Sequence, residues 1–253
     1  MKTTRLYPAL AVLLGAACCA LRRGQVLLDF DELSLPVPGM ATHGLLGLTG
    51  AALVLFALVM LPLKGGNDWS ALGEKPLLPM RGGALLYLLA MAALIAGRRS
   101  EGEGSVVFQA LTLVVPMLMM VTALPAAAGI WLGAGGGGDR GKYLVLPLGF
   151  GSFWMLDTCR ANASDPVELH YLWLLLAVVC SALAWYELTA LALERGHARR
   201  TFWLALMEVV LSLAALGGGG VSLADALLLL AQLVCFLTVS VRMSGCMELH
   251  KNT

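Results

Sequence analysis

Two glutamates lie where a carboxylate is hard to keep. Glu187, in "AWYELTALALER", comes seven residues before Glu194, and Glu208, in "TFWLALMEVVLSLAAL", comes seven residues after Thr201. Seven helical residues rise about 10 Å. The two carboxyls are therefore expected at similar depth on consecutive antiparallel helices joined by the basic stretch "RGHARR". A charge inside hydrocarbon costs at least about 2.5–3.5 kcal/mol on insertion scales, so each needs a reason. Two carboxyls sharing one site can share a proton or hold a cation, because like charges disfavour double ionisation.

Their neighbours repeat at helical spacing. Thr201, Ala205, Glu208, Ser212 and Ala215 form one stripe of small or polar residues, and Ala177, Cys180, Ala184 and Glu187 form another. Small residues let helices approach closely, which would bring both carboxyls to one helix interface. The structural alternative is an acid hydrogen-bonded to Ser181, Ser212 or a carbonyl, or paired with Arg195, Arg199 or Arg200 reaching up from the connection.

A second polar group closes the stretch "LPLGFGSFWMLDTCRANASDP". Asp157 and Arg160 are three apart, so on a helix they share a face and can pair. With His170 across a short connection they form either an ordinary helix end or an outer-face polar site. Three prolines mark expected bends: Pro116 and Pro125 in a long apolar run, and Pro147 in the run before Asp157. Ser222 and Asp225 fit the S-x-x-D pattern of a helix start. Gln232, seven residues on and on the same face, is placed to join an interior hydrogen-bond network.

The elements that must carry these residues follow from composition. Hydrophobic residues make up 59% of the 253 residues and charged ones 13%, with mean hydropathy +0.82. A soluble domain carries about 25% charged residues, so lipid is the expected solvent for much of this chain. Net charge is +1, which argues against a nucleic-acid partner. The six cysteines and four histidines show no metal-ligand spacing, so neither a metal nor a cofactor is expected.

Apolar runs predict an all-α, polytopic membrane helix bundle of about eight transmembrane helices. They are Leu6–Leu21, Ala41–Leu63, Met80–Gly97, Ser105–Ala134, Tyr143–Asp157 (extending to Asn162), Glu168–Leu193, Phe202–Leu216 and Ser222–Val241. The first reads as an uncleaved span; were it cleaved, seven would remain. Of the 17 Lys and Arg residues, 12 fall in alternate connections with both chain ends and 5 in the others. That bias places the N-terminus and C-terminus in the cytoplasm. Connections are short, so residues 1–253 form a single integral-membrane domain with no soluble domain. Trp69, in the inner connection "KGGNDWSALGEKPLLP", is expected as an interfacial anchor.

P-loop, H-E-x-x-H and G-x-S-x-G patterns do not occur. The leucine-, alanine- and glycine-rich spans, together with "LRRGQ…FDELSLPVPG", resemble multi-pass bacterial inner-membrane proteins of unassigned function. The resemblance implies a location in the bacterial cytoplasmic membrane and brings no activity with it. Three functional classes follow. The first is a small secondary transporter, or membrane subunit of one, with Glu187 and Glu208 in a proton or cation role. The second is a non-transporting interaction, sensor or assembly subunit, with the bilayer, other membrane subunits or a second copy as partners. The third is an intramembrane enzyme acting on a lipid-linked substrate through Asp157, Arg160 and His170.

Overall fold

A computed structural model describes residues 3–29, 39–61, 69–72, 75–97, 106–162 and 171–249. Its regular elements are helical. They are α1 (Leu6–Leu28), α2 (Met40–Met60), α3 (Leu78–Gly97), α4 (Val106–Gly133), the single turn α5 (Gly138–Gly141), α6 (Val145–Ala161), α7 (Leu172–Ala192), α8 (Ala198–Leu216) and α9 (Leu223–Leu249). The eight long helices follow the order of the expected spans. Six contain stretches long and apolar enough to cross a membrane: Leu6–Leu28, Met40–Met60, Leu78–Ile95, Val114–Gly133, Leu172–Ala192 and Leu223–Cys246. Leucines and valines such as Leu58, Leu89, Val121 and Leu183 stand exposed along them. An exposed apolar surface of this extent belongs in lipid, so the protein is a membrane-embedded helical bundle.

The two long helices outside that set are α6 and α8. The first has only 17 residues. The second carries Arg199, Arg200 and Glu208 within 19 residues, and 14 of those 19 are buried. It faces protein on nearly every side.

Packing explains why. Helix α8 lies against α1, α2, α7 and α9. A closed circuit then runs from α8 to α9, α3, α4, α6, α7 and back to α8, with α1 and α2 outside it. Helices α3 and α9 approach closely at Gly83, where a Cβ would lie 2.4 Å from Cys235 Sγ. Aromatic side chains fill the circuit. Tyr87 of α3 meets Phe150 of α6 edge-on, with ring centroids 5.2 Å apart. Trp185 of α7 meets Phe236 of α9 at 4.7 Å. These pairs join helices that are not neighbours around the circuit, so they occupy its interior.

Two of the three prolines lie inside one long helix. Helix α4 runs unbroken through Pro116 and Pro125. Membrane helices tolerate proline where neighbours accommodate the freed carbonyls; Pro116 is buried against the bundle, while Pro125 faces outward. Pro147 falls in the first turn of α6. There its missing N–H would have had no intrahelical partner, so it suits a helix start. Trp69 departs from expectation. It is 6% exposed, and its ring lies against Gly141, packing on protein in place of the interface. In the adjoining link, the Lys142 ammonium 2.9 Å from Asp139 holds that carboxyl below its ordinary value.

The start of α2 is capped from a distance. Asp29 Oδ2 accepts the Thr42 backbone N–H at 2.6 Å and the Thr42 hydroxyl at 2.7 Å. Gln25 Nε2 donates to Thr42 Oγ1 at 2.8 Å, and Arg22 donates to Gln25 Oε1. Arg22, Gln25 and Asp29 are 2%, 1% and 5% exposed, so the chain of bonds is an interior one. Gly39 makes room for it, since a Cβ there would lie 1.9 Å from Asp29 Oδ1. Gly39→Ala is therefore expected to expel the carboxylate and lower thermal stability by about 1–3 kcal/mol. Asp29→Ala should cost a similar amount. The double variant should cost no more than the larger single change, because both remove the same cap; thermal unfolding of the four proteins in detergent measures this.

Candidate functional site

The stripe on α8 is built as its spacing implies. Thr201, Ala205, Glu208, Ser212 and Ala215 are all buried, at 1%, 0%, 0%, 0% and 2% exposure. Glu208 is the tenth residue after Ala198 and so lies about 15 Å along α8, near its middle. Ser212, one turn on, donates its hydroxyl to Glu208 Oε1 at 2.7 Å. Cys180 of α7 lies beside the same carboxyl and donates its thiol to the Leu204 carbonyl at 3.7 Å. The second oxygen, Oε2, is buried with no hydrogen-bond partner. Full burial means that no water-sized space touches the side chain.

A second polar chain crosses the circuit nearby. The Trp185 indole N–H donates to Gln232 Oε1 at 2.9 Å. The Gln232 amide in turn donates to the Tyr87 hydroxyl. Three helices, α7, α9 and α3, are thus tied through one glutamine. Tyr87 and Trp185 are each 0% exposed. Each polar tip in such a place needs a partner, because an unmade bond in a dry interior carries the full desolvation cost. Nearer the α9 start, Trp154 of α6 donates to Asp225 Oδ1 at 2.8 Å. Asp225 is itself held by the expected helix-start arrangement. Its N–H donates to Ser222 Oγ at 3.1 Å, and the Ser222 hydroxyl donates to Asp225 Oδ2 at 2.6 Å.

The structure does not bring Glu187 into the Glu208 enclosure. Glu187 is half-buried, between exposed Tyr186 and wholly buried Leu188. The groups beside the Glu208 carboxyl are Ser212 and Cys180. Successive helical residues turn by about 100°, which leaves Glu187 at the margin of the α7 packing face. Asp157 and Arg160 do pair, at 3.0 Å with side chains 15% and 21% exposed, in the last turns of α6. His170 lies outside the described residues. Pro116, Pro125 and Pro147 line no polar site.

Sequence reasoning picked out Gln232 and Glu208 but passed over Tyr87 and Trp185. The available signal was depth. Tyr87 carries a lone polar atom in the middle of "ALLYLLAMAAL", nine residues into α3. Gln232 is likewise nine residues into α9. Among the described residues no cluster of three or more His, Cys, Asp or Glu side chains gathers to hold a metal ion.

Chemically, the site is a set of neutral hydrogen-bonding groups around one acid. Gln232→Leu strands both the Trp185 N–H and the Tyr87 hydroxyl, each worth about 1–3 kcal/mol when left unpaired. Tyr87→Phe strands only the Gln232 amide. Thermal unfolding in detergent should therefore rank wild type above Tyr87→Phe and Tyr87→Phe above Gln232→Leu.

Comparison of the chain with protein-family models, with curated proteins and with solved structures finds no match.

Proposed function

We propose that this chain is an eight-crossing protein of the bacterial cytoplasmic membrane, with both ends in the cytoplasm, that acts through contact with other membrane components. The observation that carries this reading is the closed interior. Within the helix circuit a cavity beside Tyr87 and Phe150 holds about 10 Å³, room for about one water. Glu208, Gln232 and Ser212 are each 0% exposed. A solute pathway needs polar groups facing a passage, whereas here Ser212 faces Glu208 and Gln232 faces Trp185 and Tyr87. Exposed apolar helix faces supply the surface on which a membrane partner or a second copy would sit.

Orientation is supported by the uneven split of Lys and Arg between the two sets of connections. In a background lacking the six native cysteines, Gly219→Cys is expected to react with a membrane-impermeant maleimide from outside. Gly136→Cys and Arg195→Cys should react only after the membrane is opened. The reverse pattern would invert the topology.

A second reading, secondary transport with Glu208 as a proton-carrying group, has one observation in its favour: the unpartnered Oε2 in mid-helix. Intramembrane acids are functional candidates by default. Parting α7 from α8 would connect Glu208 to Glu187 at the packing margin. The outer-face enzyme reading has no such support, since Asp157 is neutralised by Arg160. Purified protein in vesicles separates the first two. The contact reading predicts no proton or cation flux with wild type, and a protein partner retained in native mass spectrometry of gently extracted material. A wild-type flux that disappears in Glu208→Gln, with unchanged thermal midpoint, would select transport.

A further inference from the structure

A cleft of about 410 Å³ opens between the end of α2 and the start of α8. Its rim is basic, with Arg199, Arg200 and His197, and its floor is apolar, with Ala57, Leu61 and Trp203. Trp203 bridges the two helices, its indole N–H donating to the Leu53 carbonyl of α2 at 3.5 Å. Both arginines are exposed, and among the described residues neither forms an ion pair.

The rim is held in place by a fixed turn. The Arg195 N–H donates to the Ala190 carbonyl at 2.9 Å, and the Glu194 N–H donates to that of Leu191 at 3.2 Å. Glu194 has φ 59°. These are the two bonds and the left-handed residue of a Schellman ending. The connection from α7 to α8 therefore delivers Arg199 and Arg200 at a defined place beside α2.

We propose that this cleft binds one anionic phospholipid, with its phosphate on Arg199 and Arg200 and an acyl chain along Ala57, Leu61 and Trp203. Guanidinium groups suit phosphate because their planar fork donates two parallel hydrogen bonds. Basic pockets between helices at the cytoplasmic side are suited to anionic headgroups. The apolar floor separates a lipid from a free anion, since inorganic phosphate would leave Ala57, Leu61 and Trp203 wet. The excess of positive charge separates an anionic lipid from a zwitterionic one, whose choline would face the arginines.

The test compares wild type, Arg199→Gln/Arg200→Gln, and Arg140→Gln/Lys142→Gln from another connection on the same side. Each is reconstituted in nanodiscs of equal phosphatidylglycerol and phosphatidylcholine, then released for native mass spectrometry. Wild type and the Arg140/Lys142 variant should retain one phosphatidylglycerol. The Arg199/Arg200 variant should retain about thirtyfold less, the order expected for two lost basic contacts at a charged surface. Ala57→Phe, which fills the exposed floor and keeps the charge, should reduce retention as well. Thermal midpoints in neutral detergent verify folding of each variant. Equal retention by wild type and the Arg199/Arg200 variant overturns the proposal, as does equal loss in both charge variants. Millimolar inorganic phosphate raising the wild-type midpoint as far as phosphatidylglycerol does would assign the cleft to a soluble anion and overturn it too.

Discussion

One polar stripe has to be hidden from lipid. Helix α8 carries a carboxyl, two hydroxyls and two alanines along a single face, and none of that face touches solvent-sized space. In hydrocarbon a bare carboxyl would cost several kcal/mol, and the helix backbone cannot relieve it because its own bonds are already made. The remedy is to surround α8 with α1, α2, α7 and α9. Its small residues let those helices come close, and Ser212 donates a hydrogen bond to Glu208. The outer helices are then free to be plain leucine and valine on their far sides, since lipid tails give apolar residues no reason to turn inward.

The same logic accounts for the shape of the interior. Helix association in a bilayer lacks the push that water provides, so packing and interhelical hydrogen bonds carry it. Here the bonds run across the helix circuit: α7 to α9 through Trp185 and Gln232, α9 to α3 through Gln232 and Tyr87, and α6 to α9 through Trp154 and Asp225. The first and third join helices that do not sit side by side, and the second reinforces the close α3–α9 contact. Opening the circuit for a solute would break several together, which is why the closed centre bears on function. The α1–α2 pair has its own buried chain of bonds, from Arg22 through Gln25 and Asp29 to Thr42, and packs on the circuit at α8.

Much of this was legible in the sequence because lipid imposes simple rules. Apolar runs of about 20 residues mark helices whatever their partners, and all eight appear in the expected order. The α8 stripe was legible because its polar residues recur every three or four positions. Glu187 shows the limit of that reading. Depth is fixed by residue count, but azimuth depends on which face the neighbour covers, and Glu187 stands at the edge of that face. Tyr87 and Trp185 look like ordinary members of apolar runs until Gln232 is placed between them. The Asp29 cap on α2 was invisible for a similar reason. Asp29 falls among the acidic residues of "LLDFDELSLPVPG" between two apolar runs, and nothing in its neighbours names Thr42 as its partner across 13 residues.

The two helices that fail a lipid-crossing test are instructive about what such a test measures. Helix α8 is joined to α7 by the five residues 193–197 and to α9 by the six residues 217–222. Connections that short make consecutive packed helices antiparallel. Helices α7 and α9 are both long and apolar enough to cross. A helix that leaves the end of one and returns to the start of the other, packed against both, runs alongside them. Its 19 residues rise about 28 Å, close to the roughly 30 Å of hydrocarbon. The same holds for α6, packed between α4 and α7, where 17 residues rise about 25 Å. Hydropathy therefore follows contact with lipid, and α8, buried among its neighbours, has little of it. The helix with the most polar interior face is covered on most sides by α1, α2, α7 and α9, which meet the lipid in its place.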